Sequence, residues 1–313
     1  MVSACGNQRL KLGYHLPETD RPTTWKDISS LSRTAEAVGF SAVWVPDHLL
    51  YKFENEPPDA PWECWSMLSA IAAVTSKVEI GPLVLSASFR NPALIAKMAA
   101  TVDEISGGRL MLGLGAGWHE PEYRSYGYPF DHRASRFAEA LTIIHGLLRH
   151  GEIDFVGKYH EARECVLIPR GPRPDGIPLM VGSRGEKMLE IALPLVDAWN
   201  AWYLWGANTA EGLVPVLDQV DAIAARVGRA PADIARTSAV LVSPDAGHIG
   251  APLAGRTAPA ITGTPEAIAE RLLQFAAIGV QELMVVLEPN TEETIEWFGR
   301  VIELVEAEAL TRS

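Results

Sequence analysis

The segment GRLMLGLGAGWHEPEY (Gly108–Tyr123) separates two possible interpretations of this chain. Its apolar run ends in three glycines at alternate positions, Gly113, Gly115 and Gly117, and no long amphipathic helix follows. A dinucleotide-binding turn needs the spacing GxGxxG at the start of a helix, with an acidic residue about 20 positions later. The observed GxGxG spacing instead predicts a strand end whose backbone passes close to a flat, bulky group, or whose glycines relieve crowding inside the protein.

The rest of the chain alternates short apolar strands with segments of helical period. Each strand is apolar on both faces, as a buried parallel sheet requires. The eight predicted strands are Arg9–Leu16, Ala42–Val45, Val78–Leu85, Arg109–Gly115, Pro178–Ser183, Asp197–Trp202, Thr237–Ser243 and Gln281–Leu287. The helices that follow them are predicted at Thr23–Phe40, Trp62–Ser76, Pro92–Ser106, Arg133–His150, Glu186–Val196, Val214–Val227, Thr264–Gly279 and Thr291–Leu310.

Eight consecutive strand–helix units predict an α/β fold, a (β/α)8 TIM barrel, with a doubly wound open sheet as the alternative. No linker rich in Ser, Gly or Pro divides the chain, so residues 1–313 are expected to form one domain.

Two insertions interrupt the alternation, one after strand four and one after strand seven. Glu152–Pro178 has period-2 pieces that predict a hairpin around Gly157, and Pro244–Gly263 is rich in Gly, Ala and Pro, which is typical of a lid or of a plain surface loop.

Composition excludes several functional classes. The net charge of -12 argues against a nucleic-acid partner, since phosphate binding needs clustered Lys and Arg. The three cysteines, Cys5, Cys64 and Cys165, lack zinc-site spacing and are expected to be reduced thiols. We expect no metal at HEPE, which is not HExxH and contains Pro121. No uninterrupted apolar run approaches the roughly 20 residues that span a bilayer, and no signal-peptide pattern is evident, so a cytoplasmic chain without a membrane segment is expected.

In a barrel, catalytic groups lie at the carboxyl ends of the strands. Asp47 and His48 follow strand two, so His48 is a candidate for proton transfer with Asp47 fixing its tautomer, although a histidine there can also be purely structural. GSRGE (Gly182–Glu186) favours either a phosphate at a helix start or a simple Ser cap. Trp118 and Trp202 are candidate pocket walls.

Several blocks in order resemble the luciferase-like monooxygenase superfamily, and within it the branch that uses the deazaflavin coenzyme F420. The most specific is GGRLMLGLGAGWHEPEYRSYGYPFDHRASRFAEAL (Gly107–Leu141). The other matching blocks are VWVPDHLL, IGPLVLSASFRNPALIAKMAATVDEIS, PLMVGSRGEKMLEIALPLVDAWNAW and ITGTPEAIAERL. Together they cover nearly the whole chain.

The resemblance implies a TIM barrel with a flavin or deazaflavin ring at its carboxyl-terminal mouth. It also implies a non-proline cis peptide at Leu83–Val84 behind the ring, and a homodimer. His48, with Asp47, is the implied proton carrier, and His15 and Trp202 are implied to line the substrate pocket. The implied cofactor-binding residues are Leu83, Val84, Leu85, Gly115, Ala116, Gly117, Trp118, Val181, Gly182, Ser183, Arg184 and Gly185, with GSRG holding the phosphate.

The predicted function is hydride transfer between coenzyme F420 and a small organic substrate. Some relatives carry a catalytic Glu where this chain has Trp118, which argues against a sugar-phosphate dehydrogenase mechanism and favours an apolar substrate. The alternative is an FMN-dependent monooxygenase that receives reduced flavin from a separate reductase and uses oxygen. A non-catalytic flavin-binding protein is a third hypothesis. An aldolase-type barrel would need a Lys at a strand end, and no predicted strand ends in one.

Overall fold

The structure, a computed structural model, describes residues 9–19, 21–173, 175–250 and 257–311. Its strands are β1 (Lys11–His15), β2 (Ala42–Val45), β3 (Glu79–Pro82), β4 (Leu85–Ser86), β5 (Leu112–Gly115), β6 (Glu152–Val156), β7 (Glu161–Val166), β8 (Leu179–Gly182), β9 (Ala198–Ala201), β10 (Ala235–Val242) and β11 (Glu282–Leu287). Its helices are α1 (Trp25–Val38), α2 (Cys64–Val74), α3 (Pro92–Ser106), α4 (Glu120–Tyr126), α5 (Arg133–His150), α6 (Glu186–Ala192), α7 (Ala210–Arg226), α8 (Pro265–Ala277) and α9 (Glu292–Thr311).

The described residues belong to two compact units. The first is drawn from Met1–Leu16, Thr23–Trp44 and Ala198–Ser313, and the second from Pro17–Pro22 and Val45–Asp197. The single domain expected from the sequence stays a prediction.

In the first unit, parallel strands pair in the order β2, β1, β11, β10, β9. Tyr14 of β1 lies opposite Val285 of β11, and both side chains are fully buried. These strands are rich in branched and aromatic residues that pack on both faces, so their apolar runs form the core of this unit.

In the second unit, β5 lies between β4 and β8, and all three are parallel. Strand β3 approaches the same segment through a bridge between Ile80 and Leu110. Helices α2, α3 and α5 pack side by side in this unit. The predicted hairpin insertion is confirmed, because β6 and β7 pair antiparallel on either side of Gly157.

Helix boundaries follow from local capping signals. The side chain of Asn91 accepts hydrogen bonds from the backbone of Ala93 (2.9 Å) and Leu94 (3.1 Å) at the start of α3, whose first residue is Pro92. Gly107 ends that helix in the left-handed conformation. Because both ends carry strong signals, α3 begins and ends where the sequence predicts.

The structure differs from the predicted elements in several places, among them α7, which begins at Ala210 rather than at Val214. The third strand is two strands, β3 and β4, separated by a cis peptide between Leu83 and Val84, as the resemblance implied. The fifth helix ends at Ala192 instead of Val196, because Pro194 cannot continue the helical hydrogen bonding. Helix α4 was missed, although a proline in its first turn and Gly127 at its end are standard boundary signals.

The loop after β10 is described only in part. The segment 251–256 lies outside the described residues, while isolated bridges join Ile249 with Pro259 and Val242 with Ile261. The lid function of this loop stays a prediction. Among the described helices, none is long and apolar enough to cross a membrane.

The glycines of the β5 segment make room for the protein's own atoms. A Cβ on Gly113 would lie 2.3 Å from the carbonyl oxygen of Pro82. A Cβ on Gly117, whose φ is +72°, would lie 1.8 Å from the hydroxyl oxygen of Tyr123. Relief of crowding, one of the two interpretations of these glycines, is therefore confirmed at both positions.

We expect Gly117→Ala to destabilise the protein more than Gly127→Ala. Both glycines have positive φ, but a Cβ at Gly127 has no atom within 4 Å. A left-handed alanine costs about 1–2 kcal/mol at either position. Gly117→Ala should cost at least about 1 kcal/mol more, because Tyr123 must move and lose buried hydrogen bonds. Urea unfolding of the two variants measures this difference, and equal losses would contradict the explanation.

Candidate functional site

The segment between β3 and β4 is a bulge held against the end of β2. The backbone N–H of Leu83 donates to the carbonyl oxygen of Val45 at 2.9 Å. The N–H of Ser86 donates to the carboxylate of Asp47 at 2.8 Å. The Leu83–Val84 cis peptide therefore lies between two contacts to the residues that directly precede His48.

The side chain of Val84 projects from this bulge against the ends of β5 and β8. A Cβ on Gly115 would lie 2.9 Å from one Val84 methyl, and a Cβ on Gly182 would lie 3.0 Å from both methyls. Val84 is only half-buried. The bulge thus presents the apolar side chain of Val84, which is bordered by the bare backbone of two glycines, Gly115 and Gly182.

Asp47 is buried, with 3% of its surface exposed, and is neutralised by Arg90. Two guanidinium nitrogens of Arg90 donate to the two carboxylate oxygens of Asp47, both at 2.9 Å, and Arg90 also donates to Glu63 at 2.6 Å. The prediction that Asp47 orients His48 is therefore wrong, because the Asp47 carboxylate is engaged by Arg90 and by the Ser86 N–H.

His48 is bonded to Glu122, which belongs to α4. The distance from His48 Nδ1 to Glu122 Oε1 is 3.1 Å. The other carboxylate oxygen of Glu122 accepts the backbone N–H of Leu49 at 3.0 Å. Glu122 is almost fully enclosed, with 1% of its surface exposed, so this pair forms in a partly desolvated setting.

The environment of His48 favours its protonated form. Burial alone would lower the pKa of His48, but the Glu122 hydrogen bond and the charges of Glu18, Glu122 and Asp47 outweigh that effect. The net result is a pKa raised above the ordinary histidine value.

His48 also belongs to an aromatic cluster, defined here as His48, Tyr51, Phe53, Trp118 and His119. The His48 ring stacks on Tyr51 with centroids 4.4 Å apart and meets the edge of Trp118 at 5.6 Å. The Tyr51 hydroxyl donates to Glu18 at 2.5 Å. Trp118 keeps 40% of its surface exposed, so it forms an apolar wall beside His48, as expected of a pocket residue.

His119 has a structural contact. Its Nε2 accepts the backbone N–H of Lys52 at 3.0 Å, which ties the loop after β2 to α4. Burial lowers the pKa of His119, and the charge of nearby His48 lowers it further, against the opposing effect of Glu122. Within the described part of the chain, no group of three or more His, Cys, Asp or Glu side chains is placed to hold a metal ion.

The remaining predicted cofactor residues lie on the same unit. Leu85 begins β4, and Ala116 directly follows β5, where its carbonyl oxygen accepts the Tyr123 hydroxyl at 2.7 Å. Val181 is buried in β8, Ser183 is half-buried, and Arg184 is exposed. Gly185 caps α6 without a side-chain hydrogen bond, so the Ser-cap alternative does not apply to that helix.

The two predicted substrate-pocket residues lie in the other unit and contact each other. The ring of His15 meets Trp202 edge-on, with centroids 5.9 Å apart. The indole Nε1 of Trp202 is buried and has no hydrogen-bond partner among the described residues. The carbonyl oxygen of His15 accepts a hydrogen bond from Asn290 at 3.2 Å.

Sequence reasoning missed Glu122, Arg90 and Tyr51. The boundary signals of α4 would have placed Glu122 on a helix directly after β5, near other strand ends. No local pattern indicates that Arg90 pairs with Asp47, because that contact spans 43 positions of the chain. Tyr51 follows His48 by three positions, but the segment between them has no regular periodicity that would predict the stacking of the two rings.

Comparison with known proteins identifies relatives of this chain. A 5,10-methylenetetrahydromethanopterin reductase from Archaeoglobus fulgidus is 29% identical over 80% of this chain and 72% of its own length. An F420-dependent glucose-6-phosphate dehydrogenase from Amycolatopsis mediterranei is 34% identical over 58% of this chain and 54% of its own length.

A solved structure of an F420-dependent secondary alcohol dehydrogenase with an F420–acetone adduct matches with a TM-score of 0.78. The match covers 95% of this chain and 99% of that one at 21% identity, and it confirms the predicted TIM-barrel fold. The family model for luciferase-like monooxygenases matches residues 10–251. The chain therefore belongs to the luciferase-like monooxygenase family, whose members are oxidoreductases or monooxygenases.

Proposed function

We propose that this protein transfers hydride between coenzyme F420 and a small organic substrate, with His48 exchanging the accompanying proton. The observation that carries the proposal is the Val84 bulge, a half-buried apolar projection tied to the residues that directly precede His48. A flat ring packs well on such a surface, because glycine backbone borders it on two sides.

The residues present fit a flavin-type cofactor. Leu83, Val84 and Leu85 would back the ring, and Gly115, Ala116, Gly117 and Trp118 would lie along it. Val181 and Gly182 would flank the ring, while Ser183, Arg184 and Gly185 would hold a phosphate group. Arg184 supplies positive charge there, and Ser183 and the backbone supply donors. When bound, the coenzyme supplies the carbon that gives or takes the hydride.

His48 is suited to proton exchange because its charged form is stabilised by carboxylates while the ring stays half-buried. Trp118 keeps one side of the His48 ring apolar and limits the access of water to it. Asp47 does not act on His48 through a hydrogen bond. Its role is to hold the Ser86 backbone, and with it the bulge. The substrate contacts of His15 and Trp202 stay a prediction.

The F420-dependent relative from Amycolatopsis mediterranei, which is 34% identical over 58% of this chain, supports the deazaflavin. The family name itself keeps an FMN-dependent monooxygenase with a partner reductase as the second candidate. A deazaflavin lacks the ring nitrogen on which the oxygen chemistry of flavins depends, so the identity of the cofactor decides the reaction class.

Fluorescence titration of the purified protein with coenzyme F420 and, separately, with FMN tests the proposed cofactor. We expect tighter binding of F420, and a preference for FMN would overturn the proposal.

Val84→Asp should weaken F420 binding at least about tenfold, since a charge would then face the ring. Val156→Asp, at an exposed position on β6, is the matched control and should bind F420 as tightly as the unmodified protein.

His48→Gln should leave F420 binding intact and lower kcat/KM by about 10²–10⁴-fold, the usual contribution of general acid–base catalysis. His150→Gln, on the exposed end of α5, is the control with the same chemical change. Anaerobic assays with a panel of small alcohols, ketones and imines would follow the coenzyme absorbance. Unchanged turnover by His48→Gln would remove His48 from the mechanism.

A further inference from the structure

The Glu122–His48 contact determines which nitrogen of the imidazole faces outward. An ionised carboxylate only accepts hydrogen bonds, so the contact at His48 Nδ1 requires a proton on Nδ1. Nε2 has no hydrogen-bond partner among the described residues and is not among their fully enclosed polar atoms. Nε2 is thus the ring nitrogen available to a substrate.

The carboxylate of Glu122 is itself held in place. One oxygen lies near the backbone N–H groups of Leu49 (3.0 Å) and Leu50 (3.5 Å), which leaves the other directed at His48. Because Leu49 and Leu50 directly follow His48, α4 and the end of β2 cannot shift independently without breaking these bonds. The side chain therefore orients the ring in the way that a buried carboxylate orients a catalytic histidine.

We propose that Glu122 is the positioning residue of His48 and that it keeps Nδ1 protonated, so that Nε2 delivers a proton to the substrate in a reductive reaction. This inference rests on the proposed function. The substrate class is a polarised C=O or C=N bond. The bound reduced coenzyme would supply a hydride to the carbon of that bond, and Nε2 would supply a proton to its heteroatom. Neutral His48 then regains a proton from water.

The charges around His48 support delivery of a proton rather than its removal. Glu122 faces the ring from α4. Glu18 accepts the hydroxyl of Tyr51, whose ring stacks on His48, and its negative charge also raises the pKa of His48. Asp47 precedes it in the chain but is paired with Arg90. His119 opposes the positive charge of His48, but burial lowers the pKa of His119, which favours its neutral form. The surroundings therefore favour the imidazolium, consistent with the raised pKa of His48.

The first test is a ¹⁵N and ¹³C NMR titration of the His48 ring in the protein without coenzyme. We expect Nδ1 to be protonated in neutral His48 and the pKa of His48 to fall in Glu122→Gln. Glu120→Gln removes an exposed carboxylate from the same helix and should change neither property. An unchanged tautomer and pKa in Glu122→Gln would overturn the proposal. Because no coenzyme is needed, this outcome is independent of the F420 titration.

The second test is the pH profile of kcat/KM in the reducing direction. An acid must be protonated, so activity should fall as pH rises through the pKa of His48, and Glu122→Gln should move this decline to lower pH. The loss at pH 8 should be about tenfold or more, within the range of general acid catalysis. Glu122→Asp, which keeps a carboxylate, should restore part of the wild-type profile. A uniform loss at all pH values in both variants would indicate a purely structural role.

Discussion

The close approach of the Val84 bulge to the ends of β5 and β8 is the constraint on which the rest of the site depends. The bulge is bonded on one side to Val45 and on the other to Asp47. A Cβ on Gly115 or on Gly182 would lie 2.9 Å or 3.0 Å from the Val84 methyls. Because the space is close-packed, a larger residue at either glycine would require Val84 to shift, and Val84 belongs to the bulge bonded to Val45 and Asp47.

Electrostatic roles are divided between two buried carboxylates. Asp47 is satisfied by Arg90 and a backbone N–H, so its charge is compensated and its function is to anchor the backbone. Within the described part of the chain, His48 is the one basic side chain hydrogen-bonded to Glu122, whose other hydrogen bonds come from backbone N–H groups. This arrangement directs the uncompensated negative charge to the imidazole, where it stabilises the protonated state.

Several parts of the fold and site were predictable from sequence. Apolar runs located the parallel strands, although the third is divided into β3 and β4, and the period-2 pattern located the β6–β7 hairpin. Helices α3 and α5 were predicted to the residue, because capping signals flank α3 and the helical period of α5 ends at Gly151. His48 and Trp118 were named as neighbours of the same site, and they are in contact. The partner of His48 was misassigned because adjacency in sequence suggested Asp47, whereas consecutive residues at a strand end point in different directions.

The sequence by itself determined the strand–helix alternation, the family and the strand ends that carry polar residues, because hydrophobic periodicity and glycine spacing are local properties. Tertiary structure alone decided which charges meet. Arg90 reaches Asp47 across 43 positions and Glu122 reaches His48 across 74. Such pairs depend on how the bulge, helix α4 and the end of β2 pack together. That packing is set by the whole core rather than by any single segment of the chain.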